Sequence, residues 1–244
     1  MRILHLSDLH ICSTPETILF GVNPYKNLLL ALEIIRTVPD IDLCVVSGDI
    51  SDDGSRESYL IADDLLAHLN CPVYIINGNH DNYSNLINRR YRKMCYVPLL
   101  LGDGVSLLFL NSVCVMEDGS NRSSGIIAPK EMTRLREFLE MSGDKIVIMH
   151  HPVIKTGGWM DRRMLMDSEE FLKLTTNSVK AVLSGHNHFA HSVRIGDCLF
   201  STAPSVSTTF SLDTAPFEEV YSPAFSIVDI SSGEVSSQII SICV

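Results

Sequence analysis

The sequence predicts an α/β protein built as a four-layer αββα sandwich, with two mixed β-sheets flanked by helices. Three observations favour this fold. Short apolar runs recur along the chain, helical patterns lie between the early ones, and after residue 190 strands follow one another with turns but no helix between them. Alternating strands and helices indicate a sheet covered by helices. A chain of 244 residues that is 45% hydrophobic can bury such a core, and we expect residues 1–244 to form one domain.

Six apolar runs in the first part of the chain are predicted strands. Each is short, rich in branched aliphatic residues and bounded by Gly, Asp, Asn or His. They cover residues 3–6, 43–46, 73–76, 106–110, 146–149 and 181–183. Later strands are predicted over residues 192–195, 198–201, 224–230 and 235–242, with turns at Gly196-Asp197 and Ser232-Gly233. We expect these later strands to form the second, largely antiparallel or mixed sheet.

Three helices have recognisable starting signals. Asn23-Pro24 is typical of an N-cap followed by proline in the first turn, and apolar residues recur from Leu28 to Val38. Ser55 is a second N-cap candidate, and Pro129 opens a third helical pattern.

Composition narrows the classes of function. The net charge is −10 and the 19 basic residues form no strong cluster, so we expect no nucleic-acid partner. No stretch approaches the roughly 20 apolar residues of a membrane span. The first ten residues reach polar chemistry too early for a signal peptide, and the seven cysteines form no CxxC pair. We therefore expect reduced cysteines and a cytoplasmic protein without a membrane partner.

Polar residues follow five of the predicted strands directly. In an α/β sheet the carboxyl ends of strands converge on one crevice, where ligands bind. A single Asp-x-His or Gly-Asp sequence is weak evidence, but five such strand ends in one chain are hard to obtain by accident. The segments are 7–10, 47–54, 77–81, 150–152 and 184–188, which together supply Asp, Asn and His side chains.

These side chains favour a particular kind of metal site. Asp, His and Asn without thiolate suit Mn, Zn, Fe or Co rather than an all-oxygen Mg or Ca site or a structural zinc site. Seven potential ligands are too many for one ordinary site. They fit two metals that share a carboxylate, about 3.5–4 Å apart, as in two-metal phosphoryl chemistry.

The strand-end segments resemble the ordered motifs of the calcineurin-like metallophosphoesterase superfamily. Its blocks DxH, GDxxD, GNH[DE], a His-containing block and GHxH correspond to residues 8–10, 48–52, 78–81, 150–152 and 185–188. The resemblance implies the αββα sandwich and two divalent transition-metal ions. It places Asp8, His10 and His188 on one metal, Asn79, His150 and His186 on the other, and Asp49 between them.

The resemblance also implies a reaction. Hydroxide activated by the metals attacks phosphorus, His80 acts near the leaving group as a catalytic acid, and Asp52 orients His80. Segments 20–28 and 203–210 are similar to the class III cyclic nucleotide phosphodiesterases and their glycerophosphodiesterase relatives. The chain departs from the cyclic nucleotide branch at Val206-Ser207, where threonine and cysteine are usual.

The expected activity is therefore the hydrolysis of a small-molecule phosphodiester, most favourably a 3′,5′-cyclic nucleotide and next a glycerophosphodiester. A phosphomonoesterase or a nucleotide pyrophosphatase would use the same metals, and a non-catalytic interaction module would keep the fold alone. His151, His191 and Trp159 lie near the motifs without an assigned role. The C-terminal strand, residues 238–244, is a candidate exposed edge through which a homodimer could form.

Overall fold

The computed structural model describes residues 1–87, 89–102, 104–116, 119, 121–212, 220–221 and 223–242. The strands are β1 (Arg2–Leu6), β2 (Leu43–Val46), β3 (Val73–Ile75), β4 (Met94–Tyr96), β5 (Leu99–Leu101), β6 (Val105–Phe109), β7 (Asp144–Ile148), β8 (Ala181–Ser184), β9 (His191–Ile195), β10 (Cys198–Thr202), β11 (Thr209–Phe210), β12 (Val220–Tyr221), β13 (Ala224–Ser231) and β14 (Glu234–Ser241). The helices are α1 (Pro24–Ile35), α2 (Arg56–Leu66), α3 (Tyr83–Ile87), α4 (Pro129–Leu139) and α5 (Ser168–Thr175), with a 3₁₀ helix over Trp159–Arg163.

Two six-stranded sheets form the centre of the protein. The first has the order β14-β13-β1-β2-β3-β4, and the second has the order β5-β6-β7-β8-β10-β9. Strands β1 to β4 run parallel, as do β6, β7, β8 and β10, while β13, β14, β5 and β9 pair antiparallel. Both sheets are therefore mixed, as the sequence predicts.

Alternate residues of the strands face different layers. Ile3 on β1 and Ile146 on β7 belong to one buried cluster between the sheets. Their neighbours point the other way: Leu4 packs in the cluster that contains residues of α1 and α2, and Val147 packs with residues of α4 and α5. The order is thus helices, sheet, sheet, helices, which confirms the predicted four-layer αββα sandwich.

The sequence predicts that the strands after residue 190 form the second sheet by themselves. In the structure they do not. The hairpin β9-β10 extends one sheet by pairing β10 with β8, whereas β13-β14 extends the other by pairing β13 with β1. The two predicted turns do connect neighbouring antiparallel strands. Local pattern determines a hairpin, but the sheet that receives it is chosen by long-range pairing.

The three predicted helix starts are confirmed. The Asn23 side chain accepts a hydrogen bond from the Lys26 N–H, and the Ser55 side chain accepts one from the Ser58 N–H. Pro129 is the first residue of α4. Helix α1 ends at Ile35, before the predicted last apolar residue Val38. None of the described helices combines the length and the apolar character needed to cross a membrane.

Several elements were not predicted. Strands β4 and β5 and helices α3 and α5 have no clear signal, because each is short and depends on neighbours for its pairing or packing. Six of the seven cysteines lie in the described residues; all six are unpaired, and four of them are buried, whereas Cys95 is exposed and Cys114 is half-buried. Cys243 lies outside the described residues.

Candidate metal centre

The predicted site residues come together in one cluster between the two sheets. Loops after β1, β2 and β3 supply one side from the first sheet, and loops after β7 and β8 supply the other side from the second. The sequence predicts that these strand ends converge on one crevice, and in the structure they meet where the two sheets face each other. The residues are Asp8, His10, Asp49, Asp52, Asn79, His80, His150, His186 and His188.

One half of the cluster contains Asp8, His10 and His188. The Nε2 atoms of His10 and His188 are 3.1 Å apart, and the His188 Nε2 lies 3.5 Å from the Asp8 Oδ1. All three side chains are buried, and their ligand atoms lie within 4.8 Å of one another. This is the set that the resemblance to the metallophosphoesterases implies for one metal.

The other half contains Asn79, His150 and His186. The His150 Nε2 lies 3.1 Å from the Asn79 Oδ1 and 3.2 Å from the His186 Nδ1. Between the halves, the Asp49 Oδ2 is 3.8 Å from the His10 Nε2 and 3.4 Å from the His150 Nε2. Asp49 thus lies close to a histidine of each group.

Hydrogen bonds at the outer nitrogens of three histidine rings leave the inner ring nitrogens free to bind cations. The Nδ1 atoms of three histidines each contact an oxygen that can only accept, so each ring nitrogen must donate. The Nε2 of a neutral ring then becomes an acceptor that points inward. The pairs are His10 with Asp52 at 3.0 Å, His150 with the Ser47 carbonyl at 2.8 Å and His188 with the Thr208 carbonyl at 2.8 Å.

Acceptors consequently face acceptors at the centre of the cluster. The Nε2 atoms of His10 and His188 cannot hydrogen-bond each other if both rings are neutral, and a neutral His150 would set its Nε2 against the Asn79 Oδ1 in the same way. The Nε2 of His186 is buried without a hydrogen-bond partner among the described residues. Positive charge between these atoms removes the conflict, so the donor set fits divalent cations.

The protonation states follow from burial and from neighbouring charges. Burial lowers the pKa of His188 to about 4 and holds the pKa of His186 well below its usual range. Burial opposes ionisation of Asp49, yet the facing His150 holds the pKa of Asp49 well below its usual range. Burial likewise opposes protonation of His150, but Asp49 outweighs it and raises the pKa of His150 to about 9. His150 therefore carries a proton that faces Asp49. A cation bound beside Asp49 would replace this proton.

The backbone of the site is unusual. Eight non-glycine residues among those described have a positive φ, and five of them are candidate ligands. The left-handed region is tolerated better by Asp and His than by most residues, but each case costs about 1–3 kcal/mol. Such strain is typical of functional sites. The five residues are Asp8 (53°), His10 (47°), Asp49 (49°), His186 (72°) and His188 (61°).

Two glycines permit the loops to approach each other. A Cβ at Gly78 would overlap the backbone and carboxylate of Asp49, and a Cβ at Gly185 would overlap the Ser7 hydroxyl. Close approach of the backbone, and not a positive φ, is what requires glycine at both positions. Any larger residue at either position would separate loops that carry candidate ligands.

The carboxylate of Asp81 holds two of the loops together. It is buried and accepts hydrogen bonds from the backbone of Ile50, Ser51 and Gly78 and from the hydroxyl of Tyr59. The loop after β2, which carries Asp49, is therefore fastened to the loop after β3, which carries Asn79 and His80.

His80 and Asp52 lie at the open side of the cluster. The His80 side chain is 43% exposed, and its Nδ1 is 3.4 Å from the Asp52 Oδ1. Burial opposes protonation of His80, but Asp52 and Asp49 outweigh it and raise the pKa of His80 to about 9. Asp52 also binds the His10 Nδ1, a contact that the sequence argument missed because it expected Asp52 to serve His80 alone.

A cleft of about 440 Å³ opens from the cluster to solvent. Phe20, Phe210, Arg162 and Arg163, which the sequence argument did not single out for the site, line it together with Trp159. The only sequence signal for the arginines was their position just after the Trp159 loop. Trp159 contacts both the segment after β11 and its own 3₁₀ helix, since its Nε1 donates to the Ser211 carbonyl and the Arg163 guanidinium lies over its ring.

The remaining histidines separate into different surroundings. His151 is buried beside His150 and His186, and its Nδ1 lies 2.9 Å from the Ser112 Oγ. The ligand atoms of these three histidines lie within 4.8 Å of one another, but only His150 also faces Asp49 and Asn79, which favours it over His151 as the ligand. His191 lines a neighbouring hollow of about 370 Å³ with Phe210.

The fold and this donor set together are those of a metal-dependent phosphoester hydrolase. The model of the calcineurin-like phosphoesterase family matches residues 1–190. The chain belongs to that family, which implies divalent metal ions.

Individual relatives agree with this assignment. A probable cyclic nucleotide phosphodiesterase of Coxiella burnetii is 30% identical over 213 residues, covering 84% of this chain and 83% of the relative. The 3′,5′-cyclic adenosine monophosphate phosphodiesterase CpdA of Vibrio vulnificus is 24% identical over 249 residues, covering 98% and 89%. These relatives confirm the predicted superfamily and branch, and their names agree with the predicted class of enzyme, a phosphoric diester hydrolase.

A solved structure supports the fold. GAP50, the anchor in the inner membrane complex of Plasmodium, superposes with a TM-score of 0.71 at 14% identity, covering 99% of this chain and 84% of that chain. The likeness extends over both sheets and therefore includes the strands after residue 190.

Proposed function

We propose that this protein hydrolyses a small phosphodiester, with a 3′,5′-cyclic nucleotide as the favoured substrate, and that it requires two divalent metal ions. The observation that carries the proposal is the paired arrangement of inward-facing acceptors around Asp49. Two cations bridged by a carboxylate are suited to in-line displacement at phosphorus.

The two halves of the cluster give the residues that would hold the ions. Asp8, His10 and His188 would hold one, and Asn79, His150 and His186 the other, with Asp49 shared. Nitrogen and oxygen ligands without thiolate favour Mn, Fe, Zn or Co. When bound, the two cations supply Lewis-acid stabilisation of charge on the phosphoryl oxygens and a nucleophile derived from water at neutral pH.

His80 supplies the proton for the leaving group. Its Nδ1 is held by Asp52 and its ring is exposed at the cleft, so the Nε2 is the atom that can reach an alkoxide. Asp52 holds the orientation of the ring and favours its protonated form. The substrate phosphate then lies between His80 and the buried candidate ligands.

The names of the relatives favour the diester and the cyclic nucleotide. Both relatives described above are named for cyclic nucleotides, and their alignments extend over most of this chain. A pocket of about 440 Å³ lies in the usual range for small-molecule sites, about 300–1,000 Å³.

The test is hydrolysis by metal-stripped protein that has been re-supplied with Mn²⁺. The substrates are cyclic AMP, a glycerophosphodiester, an aryl phosphodiester and the matching monoester. Metal-dependent diester turnover with cyclic AMP preferred supports the proposal. Preference for the monoester, or turnover that does not depend on added metal, contradicts it.

Matched carboxylate variants make this test specific. Asp49→Ala removes the shared carboxylate and is expected to lower turnover by at least about 100-fold, because both cations lose a ligand. Asp64→Ala removes an exposed carboxylate that, among the described residues, pairs only with Arg92 on the surface, at 3.9 Å, and it is expected to leave turnover unchanged.

A further inference from the structure

Three aromatic side chains form one wall of the cleft beside the metal cluster. We call Phe20, Trp159 and Phe210 the aromatic wall. The Phe210 ring stacks on the His188 ring, with centroids 4.1 Å apart and planes 5° from parallel. The ring centroids of Phe20 and Trp159 each lie 5.8 Å from the ring centroid of Phe210. The wall thus begins directly at a candidate metal ligand and continues toward solvent.

Phe20 is held at the cleft by a strained turn. Leu19 and Val22 exchange two backbone hydrogen bonds of 2.9 Å, and the two residues between them have positive φ, 49° at Phe20 and 81° at Gly21. This geometry is that of a type I′ hairpin turn, in which Asn, Asp or Gly is preferred at the first central position. A bulky aromatic residue there is an outlier that folding alone does not favour.

Phe20 nevertheless keeps a large exposed surface. Its relative exposure is 40%, and its ring meets the Phe210 ring edge to face at the mouth of the cleft. Strain together with exposure indicates that this aromatic ring is retained for contact with a ligand rather than for the core.

Positive charge stands beside the wall. Arg162 and Arg163 line the cleft, and the Arg163 guanidinium lies 5.6 Å from the centre of the Trp159 ring. Among the described residues, neither arginine has a carboxylate within ion-pair distance. In a chain with a net charge of −10, two such cations facing one cleft favour an anionic ligand that also carries a flat ring.

We infer that the aromatic wall and this arginine pair form a nucleoside-recognition site, in which Phe20 stacks on the base of a nucleotide. The inference rests on the proposed function, because it takes the phosphate of the same ligand to lie at the metal cluster. Phe210 and Trp159 support the ring that stacks, and the arginines face the ribose phosphate or the polar edge of the base. Stacking on a protein aromatic ring tolerates every base, so the site selects nucleotides as a class.

Calorimetry on the Mn²⁺-loaded protein tests this inference without depending on catalysis. The two probes are adenosine 5′-monophosphate and ribose 5-phosphate, which differ only by the base. The wild-type protein is expected to bind the nucleotide about tenfold more tightly or better, as one stacked base predicts. Equal affinity for the two probes would overturn the inference.

Variants at Phe20 isolate the contribution of its ring. Phe20→Asn is expected to remove most of the nucleotide preference while ribose 5-phosphate affinity changes by less than about twofold. Because Asn accepts a positive φ, the variant should also unfold at the same or a higher temperature, so lost binding cannot be attributed to misfolding. Phe20→Tyr keeps an aromatic ring and is expected to retain the preference. Full preference in Phe20→Asn contradicts the inference.

A matched control is provided by the turn between β13 and β14. Ser232 and Gly233 have φ values of 52° and 78°, nearly the same as Phe20 and Gly21, but they lie outside the cleft. Ser232→Asn is expected to leave the nucleotide preference unchanged. If the preference holds and is lost in Phe20→Asn while no phosphodiester is hydrolysed, the recognition site stands and the proposed activity fails. If diesters are hydrolysed but the base adds no affinity, the proposed activity stands and the recognition site is wrong.

Discussion

At the scale of single residues, His80 differs from the other histidines of the cluster in its surroundings. The His80 side chain is 43% exposed and faces the cleft. The five other histidines of the motif segments are buried, namely His10, His150, His151, His186 and His188. Its ring meets His10 edge to face, with centroids 4.8 Å apart, and Asp52 contacts both rings. This position suits a group that touches the substrate rather than a cation.

His80→Ala is therefore expected to lower turnover by about 10²–10⁴-fold, the usual contribution of a general acid. The metal content of the purified protein should stay the same, because the inward-facing ligand atoms remain. Turnover and metal content are measured on the same preparation. Loss of metal would mean that His80 is a ligand. His68→Ala removes an exposed imidazole at the end of α2, 12 residues before His80 in the chain, and serves as the control.

Single residues also show where sequence reasoning stops. The strand ends predicted the segments that contain the nine motif residues, since strand ends meet in space. The choice of these nine within the segments came from the resemblance to the family's motifs. The sequence drew attention to segment 20–28 through its resemblance to the cyclic nucleotide branch, but a role for Phe20 itself could not be predicted. That role depends on a backbone angle and on a contact with Phe210, which is 190 residues away in the chain. The second contact of Asp52, with His10, is equally invisible in the spacing of the motifs.

At the scale of elements, helix α2 takes part in the site through one side chain. Tyr59 is fully buried; its hydroxyl donates to Asp81 and accepts from the Asn82 N–H. Asp81 in turn binds the backbone of the loops after β2 and β3. The position of Asp49 and Asn79 relative to each other therefore depends on a helix that carries no candidate ligand.

Tyr59→Phe is expected to lower the free energy of unfolding by about 1–3 kcal/mol, because a hydrogen bond to a buried carboxylate is lost and the Asn82 N–H loses its acceptor. Urea denaturation measures the effect. In the control, Tyr74→Phe, the hydroxyl that is removed has no hydrogen bond to a described residue, and a smaller change is expected. An unchanged unfolding free energy in Tyr59→Phe would show that the loops are held in another way.

The sequence predicted α2 from its N-cap at Ser55, and the cap is observed. It gave no reason to expect that Tyr59, one of the apolar-face residues, would reach the motif loops. Helix periodicity indicates which face is buried but not which polar atom that face will meet.

At the scale of the whole molecule, the candidate metal centre lies between the two sheets. Asp8, Asp49 and Asn79 come from the first sheet, and His150, His186 and His188 come from the second. Bound cations would therefore join the two sheets at the open end of the sandwich. The layer order could be predicted from alternating strands and helices, whereas the distribution of the late hairpins between the sheets is set by the pairing of β13 with β1 and of β10 with β8.

The central claim is that these loops hold two cations that share Asp49. The most direct measurement is anomalous X-ray diffraction from crystals of the Mn²⁺-loaded protein. The account predicts two anomalous peaks about 3.5–4 Å apart. One should contact Asp8, His10 and His188, the other Asn79, His150 and His186, and both Asp49. A single peak, or peaks held by other residues such as His151, would contradict it.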